Sequence, residues 1–127
     1  MKILVVDDSA TMRRILVNSL YRVGFTECVE AGDGKEGLEK FDASIQFVIA
    51  DWNMPKMSGL DLARAIRQLP EGNQVPILMV TVRSMKEDIV AAIRAGVNDY
   101  IVKPFTPQVL KEKIDAVMRG QGAAALS

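Results

Sequence analysis

The sequence predicts an α/β domain with a parallel sheet covered by helices on both faces. Four short apolar runs are rich in β-branched residues, and none alternates polar with apolar positions: Ile3–Val6, Phe47–Ala50, Ile77–Val80 and Tyr100–Val102. Continuous apolar strands of this kind are typical of a buried parallel sheet. Segments with helical start and stop signals separate the runs, and this alternation of strand and helix indicates crossover connections. The length of 127 residues suits one such domain.

The predicted elements follow in order along the chain. The first strand, Ile3–Val6, leads into a helix that runs from near Ser9 to Val23. The apolar residues of this helix fall on one stripe, namely Met12, Ile15, Leu16 and Leu20. Thr26–Glu30 is more polar than the other strands and is predicted as an edge strand.

Capping pairs and glycines indicate where the remaining helices begin and end. N-cap and N3 spacing occurs at Asp33 and Glu36, Ser58 and Asp61, and Ser84 and Glu87, and Thr106 precedes a proline. Gly24, Gly96 and Gly120 stand where three helices should stop. Five strand–helix units predict a flavodoxin-like doubly wound sheet of order 2-1-3-4-5, with five helices on two faces. We expect a single domain over residues 1–120 and a disordered tail over residues 121–127.

Composition excludes several classes of function. The chain has no histidine, which excludes a Ser–His–Asp triad and a His-ligated zinc site. Cys28 is the only cysteine, so no internal disulfide can form and a reducing compartment is favoured. Sixteen basic residues balance sixteen acidic ones, which argues against nucleic acid as the main partner. The longest apolar run, Ile89–Ile93, is too short for a membrane span, and the N-terminus does not have a signal-peptide pattern.

Polar residues follow the predicted strands at the point where each strand ends. Asp7 and Asp8 follow the first, Asp51 the third and Lys103 the fifth, while Thr81 ends the fourth. Because ligands bind at the carboxyl ends of strands in open α/β sheets, these side chains should converge on one rim. Crowded carboxylates repel one another unless a cation lies between them, and oxygen ligands suit Mg²⁺.

Each of these residues has a simpler interpretation when taken alone. Asp8 or Ser9 alone indicates a helix cap, and Thr81 alone is an ordinary strand end. Their joint occurrence at four strand ends favours a site for phosphoryl chemistry. In that interpretation Asp51 is the nucleophile, and Lys103 and a metal ion take up negative charge.

Four segments resemble the signature of two-component receiver domains: Val6-Asp7-Asp8-Ser9, Asp51-Trp52-Asn53-Met54-Pro55, Val80-Thr81 and Val102-Lys103-Pro104-Phe105. The resemblance extends from about Lys2 to Met118. It implies that Asp51 accepts a phosphoryl group from a phosphohistidine on a sensor histidine kinase. It also implies a Mg²⁺ site, with Mn²⁺ as a substitute, formed by Asp7, Asp8, Asp51 and the backbone carbonyl of Asn53.

The resemblance assigns roles to the residues around the acceptor as well. Lys103 would pair with the phosphoryl group, and Thr81 would move to bond it. Tyr100 matches the aromatic position that swings inward on activation. The Lys103–Pro104 bond is expected to be cis, an isomer available mainly to proline.

Within this family the chain is most similar to the stand-alone chemotaxis response regulators, through Asp51–Pro55, Ser9–Leu16 and Val102–Thr106. We therefore expect a phosphoacceptor signalling protein and not an enzyme. It would be a cytoplasmic monomer without nucleic-acid or membrane partners. Its expected partners are a histidine kinase, the flagellar motor switch protein and a phosphatase. The alternative is a stand-alone receiver in another phosphorelay, which would share the chemistry at Asp51.

The fourth helix carries more apolar residues than one buried stripe needs. If Val90 faces the sheet, Ile89 and Ile93 face outward near Lys86. We define the predicted partner face as Lys86, Ile89, Ile93, Tyr100 and Lys113. The alternative is that the two isoleucines pack under a neighbouring helix.

Two residues depart from the family pattern. Val82 stands where the family has a small residue, so it would narrow the entrance to Asp51 or obstruct the inward path of Tyr100. Arg83 occupies a variable position that, with Asn53, tunes phosphoryl hydrolysis, and its guanidinium would attract the anion or a phosphatase.

Two rival functions share this topology or chemistry. An aspartate-nucleophile phosphatase normally needs Asp-x-Asp, whereas Asn53 takes the second place here, and no cap region fits the length. A flavin-binding domain needs a phosphate-cradling loop after the first strand, where Asp7 and Asp8 would repel the phosphate.

Overall fold

Strands and helices alternate along residues 1–126, the part of the chain that this computed structural model describes. The strands are β1 (Lys2–Val6), β2 (Glu27–Ala31), β3 (Phe47–Asp51), β4 (Ile77–Thr81) and β5 (Asp99–Val102). The helices are α1 (Ala10–Arg22), α2 (Gly34–Lys40), α3 (Gly59–Gln68), α4 (Lys86–Arg94) and α5 (Pro107–Met118), with short 3₁₀ turns at Pro70–Gly72 and Ala123–Leu126. No helix in this part of the chain is both long and apolar enough to cross a membrane.

The five strands form one parallel sheet in the order β2-β1-β3-β4-β5, which confirms the predicted flavodoxin-like topology. β2 lies at the sheet edge, as its polar sequence predicts, one residue later than expected. Val6 of β1 pairs with Ala31 on one side and with Ala50 of β3 on the other. The chain therefore changes direction across the sheet at β1, and a crevice lies where β1 and β3 end.

Side chains alternate between two buried cores, one on each face of the sheet. The first core packs α2, α3 and α4 against residues such as Leu4, Val48 and Met79. The second packs α1 and α5 against residues such as Val5 and Ile49. Because both faces are covered, each central strand needs apolar residues at every position, which is the pattern in the sequence.

Side chains cap four helices as the sequence predicts. The capping residues are Ser9, Asp33, Ser58 and Thr106. The predicted cap at Ser84 is wrong, because Met85 holds the N-cap position of α4 and makes no side-chain capping bond. The backbone N–H of Arg83 donates to the Thr81 hydroxyl (2.8 Å), and the turn made by this bond precedes a helix that starts one residue later than predicted.

The segment after α5 folds back onto the sheet. Gly122 is buried, and the backbone N–H of Ala124 donates to the carbonyl of Asn98 (2.9 Å). The predicted disordered tail over residues 121–127 therefore differs from the structure at Ala123–Leu126, where a 3₁₀ turn forms. Ser127 lies outside the described residues.

Candidate functional site

Three carboxylates meet at the crevice where β1 and β3 end. One oxygen from each of Asp7, Asp8 and Asp51 lies within 4.8 Å of the others. Asp7 is fully buried and Asp51 nearly so, whereas Asp8 is exposed. The cluster therefore reaches solvent through Asp8, and the topology brings together the acidic residues that the sequence predicts.

Asp7 is the most constrained of the three. Its Oδ1 accepts the backbone N–H of Ser9 (2.9 Å), while its Oδ2 is buried and finds no partner within residues 1–126. Burial raises the pKa of the Asp7 carboxyl, and the charge of Asp51 adds to this effect. A buried oxygen left open beside two further carboxylates fits a hard divalent cation such as Mg²⁺.

Asp51 is held through one of its two carboxylate oxygens. Its Oδ1 accepts the backbone N–H of Trp52 (3.0 Å) and the ammonium of Lys103 (3.1 Å). No hydrogen bond to Oδ2 is found in the described part of the chain, and this oxygen is not shut away from solvent. Asp51 thus presents one fixed oxygen and one available oxygen.

The backbone of Asp51 is fixed by a close approach of α3. A Cβ at Gly59 would collide with the carbonyl oxygen of Asp51, so only glycine fits there. The N–H of Gly59 also donates to the carbonyl of Trp52 (2.8 Å), which closes the loop between β3 and α3 at its neck. Within that loop Lys56 adopts a left-handed φ of 69°.

Thr81 and Lys103 lie on the next two strand ends. Thr81 is buried at the end of β4, and its carbonyl accepts the backbone N–H of Lys103 (2.8 Å). Its hydroxyl oxygen accepts the N–H of Arg83. The Lys103–Pro104 peptide bond is cis. The Lys103 ammonium therefore lies beside Asp51, and the Thr81 hydroxyl lies at the end of the strand next to β3.

Arg83 connects the two loops that border the site. Its guanidinium lies 4.8 Å from the centre of the Trp52 ring and donates to the side-chain oxygen of Asn53 (3.3 Å) and to Asp88 (3.4 Å). Val82 is 66% exposed, so its side chain extends largely into solvent. The Arg83–Asp88 pair links the loop after β4 to the first turn of α4.

The structure corrects the predicted orientation of α4. Val90 is 36% exposed and does not face the sheet, where Ala92 is 1% exposed instead. Small alanine side chains let the helix approach the strands closely, and this leaves Val90 on the solvent side. Ile89 and Ile93 are half-buried on one flank of the helix, with Lys86 exposed near them.

Tyr100 and Lys113 are in contact on the same side of the molecule. Tyr100 is half-buried and packs against the core beneath α4. The Lys113 ammonium lies 5.2 Å from the centre of its ring and 3.5 Å from Asp99. An apolar groove of about 420 Å³ runs beside them, lined in part by Phe105 and Val109.

One residue at the site was missed by the sequence reasoning. Arg13 of α1 donates from Nη1 to the backbone carbonyl of Asp7 (2.6 Å) and from Nε to Glu30 of β2 (3.1 Å). Helix N-termini disfavour cations, so an arginine near the start of α1 was the available signal.

Comparison with known proteins gives a consistent result. The family model described as the response regulator receiver domain matches residues 3–115. The chain is 52% identical to the chemotaxis protein CheY1 of Helicobacter pylori, with 93% of this chain and 97% of that protein covered. It is 48% identical to the CheY homologue of Campylobacter jejuni, with 98% and 99% covered.

The fold is also shared with a solved structure. The chemotaxis protein CheY4 of Vibrio cholerae matches with a TM-score of 0.84 at 34% identity, covering 91% of this chain and 97% of that one.

Proposed function

Because this chain belongs to the response regulator receiver domains and is of the CheY chemotaxis type, we propose that it is switched by phosphorylation of Asp51. The observation that carries this proposal is the cluster of Asp7, Asp8 and Asp51 beside Lys103. We assign the receiver domain to residues 1–120.

The available oxygen of Asp51 is the proposed nucleophile. Since Oδ1 is engaged by Trp52 and Lys103, Oδ2 is free to attack phosphorus. The Oδ2–P bond forms as the N–P bond to the kinase histidine breaks, and the histidine nitrogen leaves with the electron pair. In-line attack is favoured because the acceptor is already positioned at the crevice.

A metal ion and Lys103 would together balance the negative charge at the site. Mg²⁺, held by Asp7, Asp8, Asp51 and the backbone carbonyl of Asn53, would neutralise negative charge on the transferring group. Mn²⁺ would substitute for it. Lys103 already lies 3.1 Å from Asp51 and would pair with the new phosphoryl oxygens. The Thr81 hydroxyl would donate to one of these oxygens.

Movement of Thr81 would transmit the effect of phosphorylation to the predicted partner face. Its oxygen holds the N–H of Arg83, which in turn pairs with Asp88 in the first turn of α4. A shift of the β4–α4 loop toward the phosphoryl group would therefore alter α4, and Tyr100 would swing inward beneath it. This changes the predicted partner face defined above.

The proposed setting is the control of flagellar rotation in the cytoplasm. The partners are a histidine kinase, the flagellar motor switch protein and a phosphatase, and the chain acts as a monomer and phosphoacceptor. Arg83 and Asn53, which are in contact, would adjust the rate at which the phosphoryl group is hydrolysed.

Phosphorylation with acetyl phosphate and Mg²⁺ tests the proposal directly. We expect a mass gain of one phosphoryl group and a change in Trp52 fluorescence, because Trp52 is bonded to Asp51. Asp51→Asn should abolish both signals, while Asp61→Asn, an exposed carboxylate on α3, should leave them intact. Absence of a mass gain in the wild-type protein, or its persistence in Asp51→Asn, would contradict the assignment.

A second measurement separates chemotaxis from another phosphorelay. Binding of a flagellar motor switch protein should tighten on phosphorylation, and Ile89→Asp on the predicted partner face should weaken it. Phosphorylation without any such binding would favour the other relay.

A further inference from the structure

Arg13 holds the segment that carries two of the three acidic residues. It lies on α1, five residues after Asp8, and its side chain is 20% exposed. Through Nη1 and Nε it bonds two acceptors on different segments, the carbonyl of Asp7 just after β1 and the carboxylate of Glu30 in β2. A planar guanidinium can do this because its donors point in fixed directions.

The carbonyl of Asp7 lies just past the end of the β1–β2 pairing. The N–H of Asp7 donates to the carbonyl of Ala31, the last residue of β2 (3.1 Å). Within residues 1–126, no backbone N–H donates to the Asp7 carbonyl. Arg13 supplies the missing donor at 2.6 Å.

Orientation of this carbonyl restricts the backbone that carries two carboxylates. The Asp7 carbonyl and the Asp8 N–H belong to one planar peptide unit, so fixing one fixes the other. The Cα atoms at the two ends of that unit carry the Asp7 and Asp8 side chains. Since Asp7 Oδ1 is held by Ser9, fixing the peptide also aims the orphaned Oδ2.

We propose that Arg13 is a positioning residue for the cation site, which orients the Asp7–Asp8 peptide through its bonds to the Asp7 carbonyl and Glu30. This inference rests on the proposed function, because it takes Mg²⁺ as the ion bound by Asp7, Asp8 and Asp51. Glu30 offsets the positive charge of Arg13, so the arginine acts by geometry and adds little repulsion toward the ion.

Geometry and charge make opposite predictions for substitutions at Arg13. If Arg13 acts by geometry, Arg13→Met raises the dissociation constant for Mg²⁺ about tenfold, as expected when a group that orients a metal ligand is lost. Arg13→Lys then gives an intermediate value, since one ammonium cannot reproduce both directed bonds. If Arg13 acts only by charge, the Arg13→Met variant binds Mg²⁺ more tightly than the wild type. The Arg13→Lys variant then has the dissociation constant of the wild type.

Titration calorimetry of Mg²⁺ into the metal-free protein, without any phosphodonor, measures this constant. Arg14→Met is the matched control, because Arg14 is the adjacent exposed arginine and its loss removes the same charge. We expect the dissociation constant of this control to stay within about twofold of the wild-type value. Thermal unfolding in chelator establishes that each variant is folded.

Each outcome decides the matter. A raised dissociation constant in Arg13→Met, with Arg13→Lys between it and the wild type, supports the proposal. Unchanged or tighter binding in a folded Arg13→Met overturns it while leaving the Asp51 chemistry intact. If the wild-type protein binds no Mg²⁺, the metal site of the proposed function fails as well. Should Arg13→Met not fold, Glu30→Gln, which keeps the arginine but weakens its anchor, must show a smaller rise.

Discussion

Arg67 and Asp7 are charged residues at opposite ends of the sheet, and they differ in how completely their polar atoms are bonded. Arg67 is half-buried, whereas Asp7 is fully buried. Arg67 lies beneath the amino ends of β4 and β5, where all five of its N–H groups are bonded. The acceptors are the carbonyls of Gly72, Val75 and Gly96, the last of which accepts two bonds, and the side-chain oxygen of Asn98. Asp7 lies at the carboxyl end of β1 and keeps one buried oxygen without a partner in the described chain.

This difference separates a charge that is fully bonded within the fold from one that keeps an unbonded oxygen. Burial lowers the pKa of Arg67, yet its bonds join α3, the loop before β4 and the loop before β5 into one unit. Burial raises the pKa of Asp7, and its Oδ2 has no hydrogen-bond partner within residues 1–126. A fully bonded charge stabilises the fold, whereas an incompletely bonded one is available to a ligand.

The largest expected effect is on stability, at the Arg67 end. Arg67→Met leaves buried carbonyls without donors and should lower the free energy of unfolding by about 3 kcal/mol. The rate of phosphorylation by acetyl phosphate should change less than about twofold, since Arg67 lies far from the crevice. Urea unfolding and mass spectrometry measure the two quantities.

Arg64→Met serves as the control for this prediction, because it removes an exposed arginine from the same helix. Its effect on stability should stay within about 0.5 kcal/mol. A similar loss in both variants would contradict the structural role of Arg67.

A smaller effect of opposite sign is expected at the Asp7 end. Asp7→Asn keeps the acceptor for Ser9 and replaces the orphaned oxygen with a donor facing Asp8 and Asp51. The metal-free protein should therefore gain about 1 kcal/mol of unfolding free energy. The extra stability that Mg²⁺ confers on the wild type should disappear, which thermal unfolding with and without Mg²⁺ can measure. If metal-free Asp7→Asn were less stable than the metal-free wild type, the contrast between Arg67 and Asp7 would be contradicted.

The smallest effect is the pH dependence of that gain. Because the pKa of Asp7 is raised above 3.8 in the folded protein, the unfolded chain releases this proton first as the pH rises. The stability contributed by protonated Asp7 is complete below that value and is lost as the pH passes the folded pKa. The advantage of Asp7→Asn over the wild type should thus be small near pH 3.8 and grow toward neutral pH.

Urea unfolding of the two proteins in metal-free buffers at several pH values measures this difference. A stability gap that narrows as the pH rises would indicate that Asp7 is not the group responsible.

Much of the fold could be predicted because the apolar runs and helix caps in the sequence agree with the packing of the sheet. The buried strands show as apolar runs, and Ser9, Asp33, Ser58 and Thr106 cap helices where the sequence predicts. The convergence of Asp7, Asp8 and Asp51 follows from the topology, since parallel strands end at one edge.

The features that were missed depend on contacts between distant residues. The orientation of α4 is decided by how closely Ala92 approaches the strands, and an apolar pattern on all sides of a helix leaves this open. Ser84 has the right spacing for a cap, but the N–H of Arg83 donates to Thr81 and α4 begins one residue later, with Met85 at its N-cap. Arg13 acts on a carbonyl, which no sequence motif identifies.

The hydrogen bond between Gly59 and Trp52 closes the loop that follows β3, so the middle of this loop can be changed without moving its ends. Its ends are tied by the N–H of Gly59, and its position against Asp51 depends on glycine having no side chain. The composition of residues 55–57 can therefore be varied in a library, whereas Asn53, which contacts Arg83, and Ser58, which caps α3, are kept. In such a library Gly59 would tolerate no substitution, although it performs no chemistry.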